Sequence, residues 1–157
     1  MPFTLRLKTT VVRALCVAAL ITPLSVMSSS PAAAVSWDGQ NPNLTSCWQS
    51  ATIAKKKTSH SGKFWVSLIY STKCRTVWVE VGGDFPYANG ASFSGYVKRN
   101  SDGKKYNLGS MTSGKWGYSA NGSLTWVRWS PMLNDANVSS FASGRFASEA
   151  WLTTASY

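Results

Sequence analysis

Between residues 48 and 154, apolar and polar residues alternate in short segments separated by Gly, Asn, Asp and Ser. Such alternation over about four to eight residues is typical of β-strands with one buried face. Residues 135–143 fit a short helix or a loop, and residues 35–46 fit an extended arm or loop. The predicted strands span residues 48–57, 63–70, 75–81, 92–99, 104–108, 123–130 and 149–154. About seven short antiparallel strands predict an all-β fold, either a small single-domain barrel or a sandwich.

The first hairpin can be placed in register from its own sequence. Residues 58–62 form the connecting turn, and centring the turn after residue 60 pairs Ile53 with Leu68. The same register pairs Cys47 with Cys74. Opposed Cβ atoms lie about 4.5–5.5 Å apart in antiparallel strands, close to what a disulfide requires. The predicted core face carries Ala51, Ile53, Phe64, Val66, Leu68 and Tyr70.

The first 34 residues have the pattern of a signal peptide. An apolar run at residues 14–21 follows three basic residues and is too short for a membrane span, which needs about 20 residues. Ala32 and Ala34 occupy the small-residue positions that signal peptidase reads, so cleavage is predicted before Val35. We therefore expect a secreted, extracellular domain at residues 35–157 with no transmembrane segment. The basic residues before the apolar run are Arg6, Lys8 and Arg13.

Export changes the charge and the cysteine content of the functional protein. Cleavage removes three basic residues and Cys16, which lowers the net charge from +10 to +7. Cys47 and Cys74 remain, and two cysteines in an oxidising compartment indicate one disulfide. Closing a loop of about 28 residues contributes about 3.6 kcal/mol in the chain-entropy model. A basic exported domain tends to associate with polyanions, although a charge of this size also serves solubility.

Few residues in the sequence point to a catalytic or metal-binding site. His60 is the only histidine and falls in the predicted hairpin turn, and no thiol remains free, so no metal and no cofactor are predicted. Glu80 and Asp84 flank two glycines and are the best candidates for a carboxylate pair, but no motif selects them. The chain is predicted not to be an enzyme.

Basic and aromatic residues are the unusual feature of this sequence, since all eight tryptophans follow residue 34. Interleaved rings and cations can bind sugars, phosphates or uronates. The alternative is that tryptophans such as Trp65, Trp78 and Trp126 pack in or beside the core, while turn lysines suppress aggregation. The candidate binding residues are Lys55, Lys56, Lys57, Lys98, Arg99, Lys104, Lys105, Trp37, Trp116 and Trp129, with the last three predicted to be exposed.

Extracellular binding is the function predicted from this pattern. The partner would be an anionic cell-envelope polymer, a glycan or an extracellular protein, and no specific nucleic acid is expected. A second hypothesis is a secreted effector, toxin component or inhibitor that acts on another protein through an exposed loop at residues 82–90. A third is a carboxylate-based hydrolase using Glu80 and Asp84.

Several motifs resemble a known family. Residues 38–42, Cys47 and the segment at residues 66–78 resemble the small exported YjfA-like family of actinobacteria and bacilli, as do residues 130–135 and 142–144. The resemblance implies an exported β domain of unknown function and no catalytic residues. Trp37 and Ser143 stand where the family commonly has cysteines, and losing both together would fit the loss of one whole disulfide.

Overall fold

A computed structural model describes residues 37–84, 92–109, 115–118, 124–147 and 149–157, with residues 115–118 and 124 described by their backbone alone. All of these residues belong to the compact unit Val35–Tyr157. The predicted signal peptide and its cleavage site lie outside the described residues. Within the described part of the chain, no helix has the length and apolar character needed to cross a membrane.

In the described residues, ten strands form two antiparallel sheets. The first sheet has the order β1-β2-β3-β7-β6, with β8 also paired to β3, and the second has the order β10-β9-β4-β5. The strands are β1 Ala51–Thr58, β2 Phe64–Ser71, β3 Thr76–Asp84, β4 Phe93–Arg99, β5 Lys105–Asn107, β6 Lys115–Tyr118, β7 Leu124–Trp129, β8 Leu133–Asn134, β9 Ser140–Phe146 and β10 Leu152–Thr153.

The main core lies between the two sheets. Alternate residues of each strand point to opposite faces, so each sheet has an inner face toward the other sheet and an outer face away from it. The buried inner residues come from both sheets and include Phe64, Val66, Leu68, Val77, Val79, Val81, Phe93, Val97, Ala142 and Phe146. The all-β prediction is confirmed, but the sheets do not close, so the barrel alternative is wrong.

The first hairpin forms, but its predicted register is wrong. Ile53 pairs with Ile69 instead of Leu68, and Ala51 pairs with Ser71 instead of Tyr70. The turn is centred later than expected because Gly62, at a φ of +74°, closes it with a hydrogen bond to Ser59.

An irregularity between Ile53 and Lys55 shifts the pairing again by one residue. A one-residue slip moves a side chain to the opposite face. Ile53 is therefore 58% exposed on the outer side instead of buried in the core.

Three strands were not predicted. Residues 135–143 were expected to be a helix or a loop, yet Ser140–Phe146 forms β9, which pairs along the whole of β4. The preceding turn explains the error, since it contains Asn137 at a φ of +63°. The other two are the short strands β6 and β8.

A second core cluster lies on the outer face of the first sheet. The disulfide Cys47–Cys74 is confirmed, but Cys47 lies in a 3₁₀ helix, Ser46–Ser50, and not in β1. The bridge joins this helix to the turn between β2 and β3. Cys47 packs with Ile69, Trp78, Trp129 and Met132, all buried.

Candidate binding face

The outer face of the second sheet carries aromatic rings and cations together. In β4, Phe93 and Val97 point into the core, so Tyr96 and Lys98 point outward. The same alternation in β9 places Arg145 outward. We use the name "aromatic face" for Tyr96, Lys98, Lys105, Phe141, Arg145 and Trp151.

The three rings of the aromatic face contact one another. The centroid of Tyr96 lies 6.2 Å from that of Phe141 and 5.7 Å from that of Trp151. Ser143 is directly opposite Tyr96 in the ladder, and its small side chain allows the Tyr96 and Trp151 rings to meet across β9. Trp151 is 45% exposed, so the cluster faces solvent. Ring pairs at these separations are favourable geometries for aromatic contact.

Cations flank the rings on both sides. Lys105 places its Nζ 5.5 Å from the Tyr96 centroid, and the Arg145 guanidinium lies 5.4 Å from the Trp151 centroid. Lys98 is the direct cross-strand partner of Lys105. Like charges directly opposite each other destabilise a sheet, so a bound anion would relieve this repulsion.

Arg145 has an unusual environment. Its Nε is buried and has no hydrogen-bond partner among the described residues. Buried polar atoms are normally paired, and an unpaired one needs an explanation such as an absent ligand. Sequence reasoning missed Phe141 and Arg145 because β9 was not predicted. Trp151 lies in the predicted strand at residues 149–154 but was not chosen as a binding residue. Tyr96 was not chosen either, although the alternation of Phe93 and Val97 within residues 92–99 is the signal that could have placed it on the opposite face.

Two predicted binding residues are engaged in ion pairs within the domain. Arg99 pairs with Asp102 and also donates to the carbonyl of Asn134 at 2.8 Å. The hydrogen bond from Arg99 lowers the pKa of Asp102. Lys104 pairs with Asp38 at 2.7 Å, and this hydrogen bond raises the pKa of Lys104.

Asp38 also accepts a hydrogen bond from the backbone N–H of Asn134. Arg99 and Lys104 therefore fasten the β4–β5 hairpin and the N-terminal arm to the rest of the domain.

The three lysines of β1 do not form one patch. Lys56 points to the outer side of the first sheet, where its Nζ lies 4.9 Å from the Trp65 centroid. Lys55 and Lys57 pair with core residues of β2 and so point to the other side. All three are exposed on the edge strand, which fits the alternative that they discourage strand-to-strand association.

The predicted exposure of Trp129 is wrong, since its side chain is only 3% exposed. Its position opposite the main core was predicted correctly, but the arm and the 3₁₀ helix cover that outer face. Trp129 Nε1 donates to Asn41 at 3.0 Å, and its ring contacts Trp48. Trp37 is partly buried against the same cluster. The side chain of Trp116 lies outside the described residues.

The tryptophans expected in or beside the core are found there. Trp78 is fully buried, and Trp126 is half-buried against the main core. Trp65 is half-buried on the outer face, where its indole occupies the space that a Cβ on Gly82 would need.

The best predicted carboxylate pair is widely spaced along β3. Glu80 and Asp84 are four residues apart on β3, which separates their Cα atoms by about 13 Å. The carboxyl pairs of glycosidases lie about 5–9.5 Å apart. Trp65 also covers Gly82 between them.

The described residues of the other sequence candidates belong to the first sheet and its hairpin turn, not to the aromatic face. His60 is exposed in the hairpin turn. Most of the loop at residues 82–90 lies outside the described residues, whereas Gly82 and Gly83 are buried in β3. Nowhere in the described residues do three or more His, Cys, Asp or Glu side chains group in a way that could hold a metal ion.

The fold and this face define a small β domain of two open antiparallel sheets with one disulfide. The chain belongs to the family described as "Protein of unknown function (DUF2690)", which it matches over residues 35–143. It is 28% identical over 129 residues to "Uncharacterized protein YjfA" of Bacillus subtilis (strain 168), covering 77% of this chain and 80% of that protein. The YjfA-like resemblance is thus confirmed. No solved structure gives a significant match.

The two positions where the family commonly has cysteines lie in different parts of the domain, one in the N-terminal arm and one in β9. Trp37 packs against the outer cluster of the first sheet, while Ser143 lies in β9 of the second sheet and bonds to Thr153 at 2.9 Å.

Proposed function

We propose that this is an exported, non-catalytic binding protein that holds an anionic envelope polymer containing sugar rings on the aromatic face. The supporting observation is the contiguous set of three rings with cations at both ends, on a sheet face that is open to solvent. None of the six residues of this face is a histidine or a carboxylate, so the face offers no acid–base pair. Export is supported by the predicted signal peptide and by the disulfide.

The chemistry of the aromatic face matches both parts of such a polymer. Aromatic side chains offer flat apolar surfaces to the C–H faces of sugar rings, while Lys98, Lys105 and Arg145 supply charge to phosphate or carboxylate groups. Arg145 is best suited to bidentate contacts because its guanidinium is planar. An anion near the opposed lysines would offset their mutual repulsion.

Removing the two opposed lysines should weaken polyanion binding. We expect the Lys98→Ala/Lys105→Ala variant to elute from immobilised heparin at clearly lower salt than the wild type, because exposed charge contacts are screened by salt. The matched control is Lys55→Ala/Lys57→Ala, which removes the same charge from β1. Equal shifts in the two variants would show that heparin binding is only general charge attraction. If immobilised heparin does not retain the wild type at all, the proposal is refuted.

Removing the most exposed ring, Trp151, should weaken binding to ring-containing polymers in particular. Truncating a tryptophan that contributes strongly to binding costs more than about 1 kcal/mol, so Trp151→Ala should lower the affinity for heparin roughly tenfold. Polyphosphate has no rings, and its affinity should change little. The affinities can be compared by calorimetry at fixed salt. A loss of the same size for both polymers would contradict the role of the rings.

A further inference from the structure

A groove of about 260 Å³ lies on the outer face of the first sheet, on the opposite layer from the aromatic face. It lies between the edge strand β1 and the 3₁₀ helix that carries Cys47. Its walls are apolar and aromatic, and one carboxylate faces into it. The lining residues are Trp48, Ala51, Thr52, Ile53, Ile69 and Glu80.

The carboxylate of Glu80 has no hydrogen bond or ion pair among the described residues. Lys56 is the charged group that acts on it, but the Lys56 ammonium lies over the Trp65 ring and makes no ion pair with Glu80. Burial raises the pKa of Glu80 above its ordinary value. A partly buried carboxylate without donors is costly, so its place on a groove wall points to a ligand with a positive or donating group.

The groove walls are large apolar side chains left open to solvent. Trp48 is 43% exposed and Ile53 is 58% exposed. Trp48 is held in position by stacking on the buried Trp78, with centroids 6.0 Å apart and planes 26° apart. The walls are therefore formed by a fixed indole and two isoleucines.

These walls favour an alkylammonium over a sugar. A methylene chain would lie against Ile53 and Ile69, and its ammonium would meet the Glu80 carboxylate and the indole of Trp48. A sugar would instead bring several hydroxyls against the isoleucines, where they would stay unsatisfied. The volume is below the roughly 300–1,000 Å³ of pockets that enclose whole small molecules, so it fits one side chain of a larger partner.

We propose that this groove binds a lysine side chain of a partner polypeptide, with the ammonium paired to Glu80 and the methylene stem packed between Trp48 and Ile53. This site is independent of the aromatic face. It takes a ligand of the opposite charge and uses different residues.

The test uses the peptide acetyl-Gly-Lys-Gly-amide as the probe and follows the Trp48 indole N–H by NMR. We expect a saturable shift at Trp48, and no such shift with the peptide whose lysine carries an Nε-acetyl group. Glu80→Gln should weaken binding at least tenfold. Lys56→Ala should leave it unchanged or tighten it, because a competing cation is removed.

Several outcomes would overturn this proposal. They are equal binding of the acetylated peptide, an unaffected Glu80→Gln variant, or a comparable Trp48 shift with N-acetylglucosamine. Weaker binding in Lys56→Ala would equally contradict a role for Lys56 as competitor. Heparin retention, measured on the same variants, should not change, so failure here is distinguishable from failure of the polymer-binding proposal.

A stability measurement separates a ligand site from a structural role for Glu80. Because its pKa is raised in the folded state, the fold binds this proton more tightly than the unfolded chain does. Ionised Glu80 therefore lowers stability at pH 7, and this penalty disappears as the pH falls from the raised pKa toward 4.5. Glu80→Gln should raise the thermal midpoint at pH 7 while weakening peptide binding. A lower midpoint would assign Glu80 a structural role and overturn the proposal.

Discussion

Replacing both Cys47 and Cys74 by serine is expected to lower the free energy of unfolding by about 3–4 kcal/mol. The bridge closes a loop that spans a sequence separation of 27 residues, and its loss frees that loop in the unfolded chain. Cys47 is also fully buried in the outer cluster, so the hydroxyl that replaces its sulfur would need a hydrogen-bond partner. Urea unfolding followed by tryptophan fluorescence would measure the change.

The matched control for the double variant is the wild type unfolded in the presence of a thiol reductant. Reduction should reproduce most of the loss, because it opens the same loop without changing a side chain. A loss under about 1 kcal/mol in both experiments would show that the unfolded chain is not appreciably constrained by the bridge. A loss in the serine variant alone would instead assign the effect to packing around Cys47.

Loss of the bridge should affect ligand binding at the two proposed sites to different extents. It anchors the 3₁₀ helix that holds Trp48 against Trp78, and Trp48 forms one wall of the groove. The aromatic face belongs to the other sheet and makes no use of this helix. Under conditions where the serine variant is still folded, lysine-peptide binding should weaken more than heparin retention does.

The β1–β2 hairpin shows which features a sequence pattern can predict and which it cannot. Alternation and turn residues located both strands because those signals are local, and the two cysteines of the exported domain predicted the disulfide. Register depends on which residue adopts a positive φ and on where a ladder irregularity falls. Here Gly62 and the step between Ile53 and Lys55 decide it, and neither can be placed from alternation alone. As a result Ile53 became a groove wall instead of a core residue.

The residues of the aromatic face were harder to predict for a different reason. Charge and tryptophan content drew attention to rings beside cations, but several of the chosen residues make contacts within the domain instead. Arg99 and Lys104 are held in ion pairs, and Trp129 is covered by the arm. These are long-range contacts with the turns and the arm. Among the predicted binding residues whose side chains are described, only Lys98 and Lys105 lie on the aromatic face.

Replacing Gly144 by alanine is expected to lower the free energy of unfolding by about 1–3 kcal/mol through overpacking. A Cβ at this position would lie 2.7 Å from Val81 Cγ2 and 3.0 Å from Val66 Cγ2, which belong to the opposite sheet. Gly144 faces Gly95 across the β4–β9 ladder, so two adjacent glycines let the sheets approach at this point. Sequence alternation cannot reveal this requirement, because it arises from the other sheet.

Gly109→Ala is the matched control for Gly144→Ala. Its Cβ would have its nearest neighbour at 3.8 Å, so the substitution should be neutral or slightly stabilising through the unfolded chain. Displacing β9 would also disturb Arg145, the next residue, and Ser143, across which the aromatic rings meet. Gly144→Ala should therefore weaken heparin retention even where the variant is folded, whereas Gly109→Ala should not. If Gly144→Ala changes neither the stability nor the heparin retention, the two sheets can accommodate the added methyl group and the prediction is wrong.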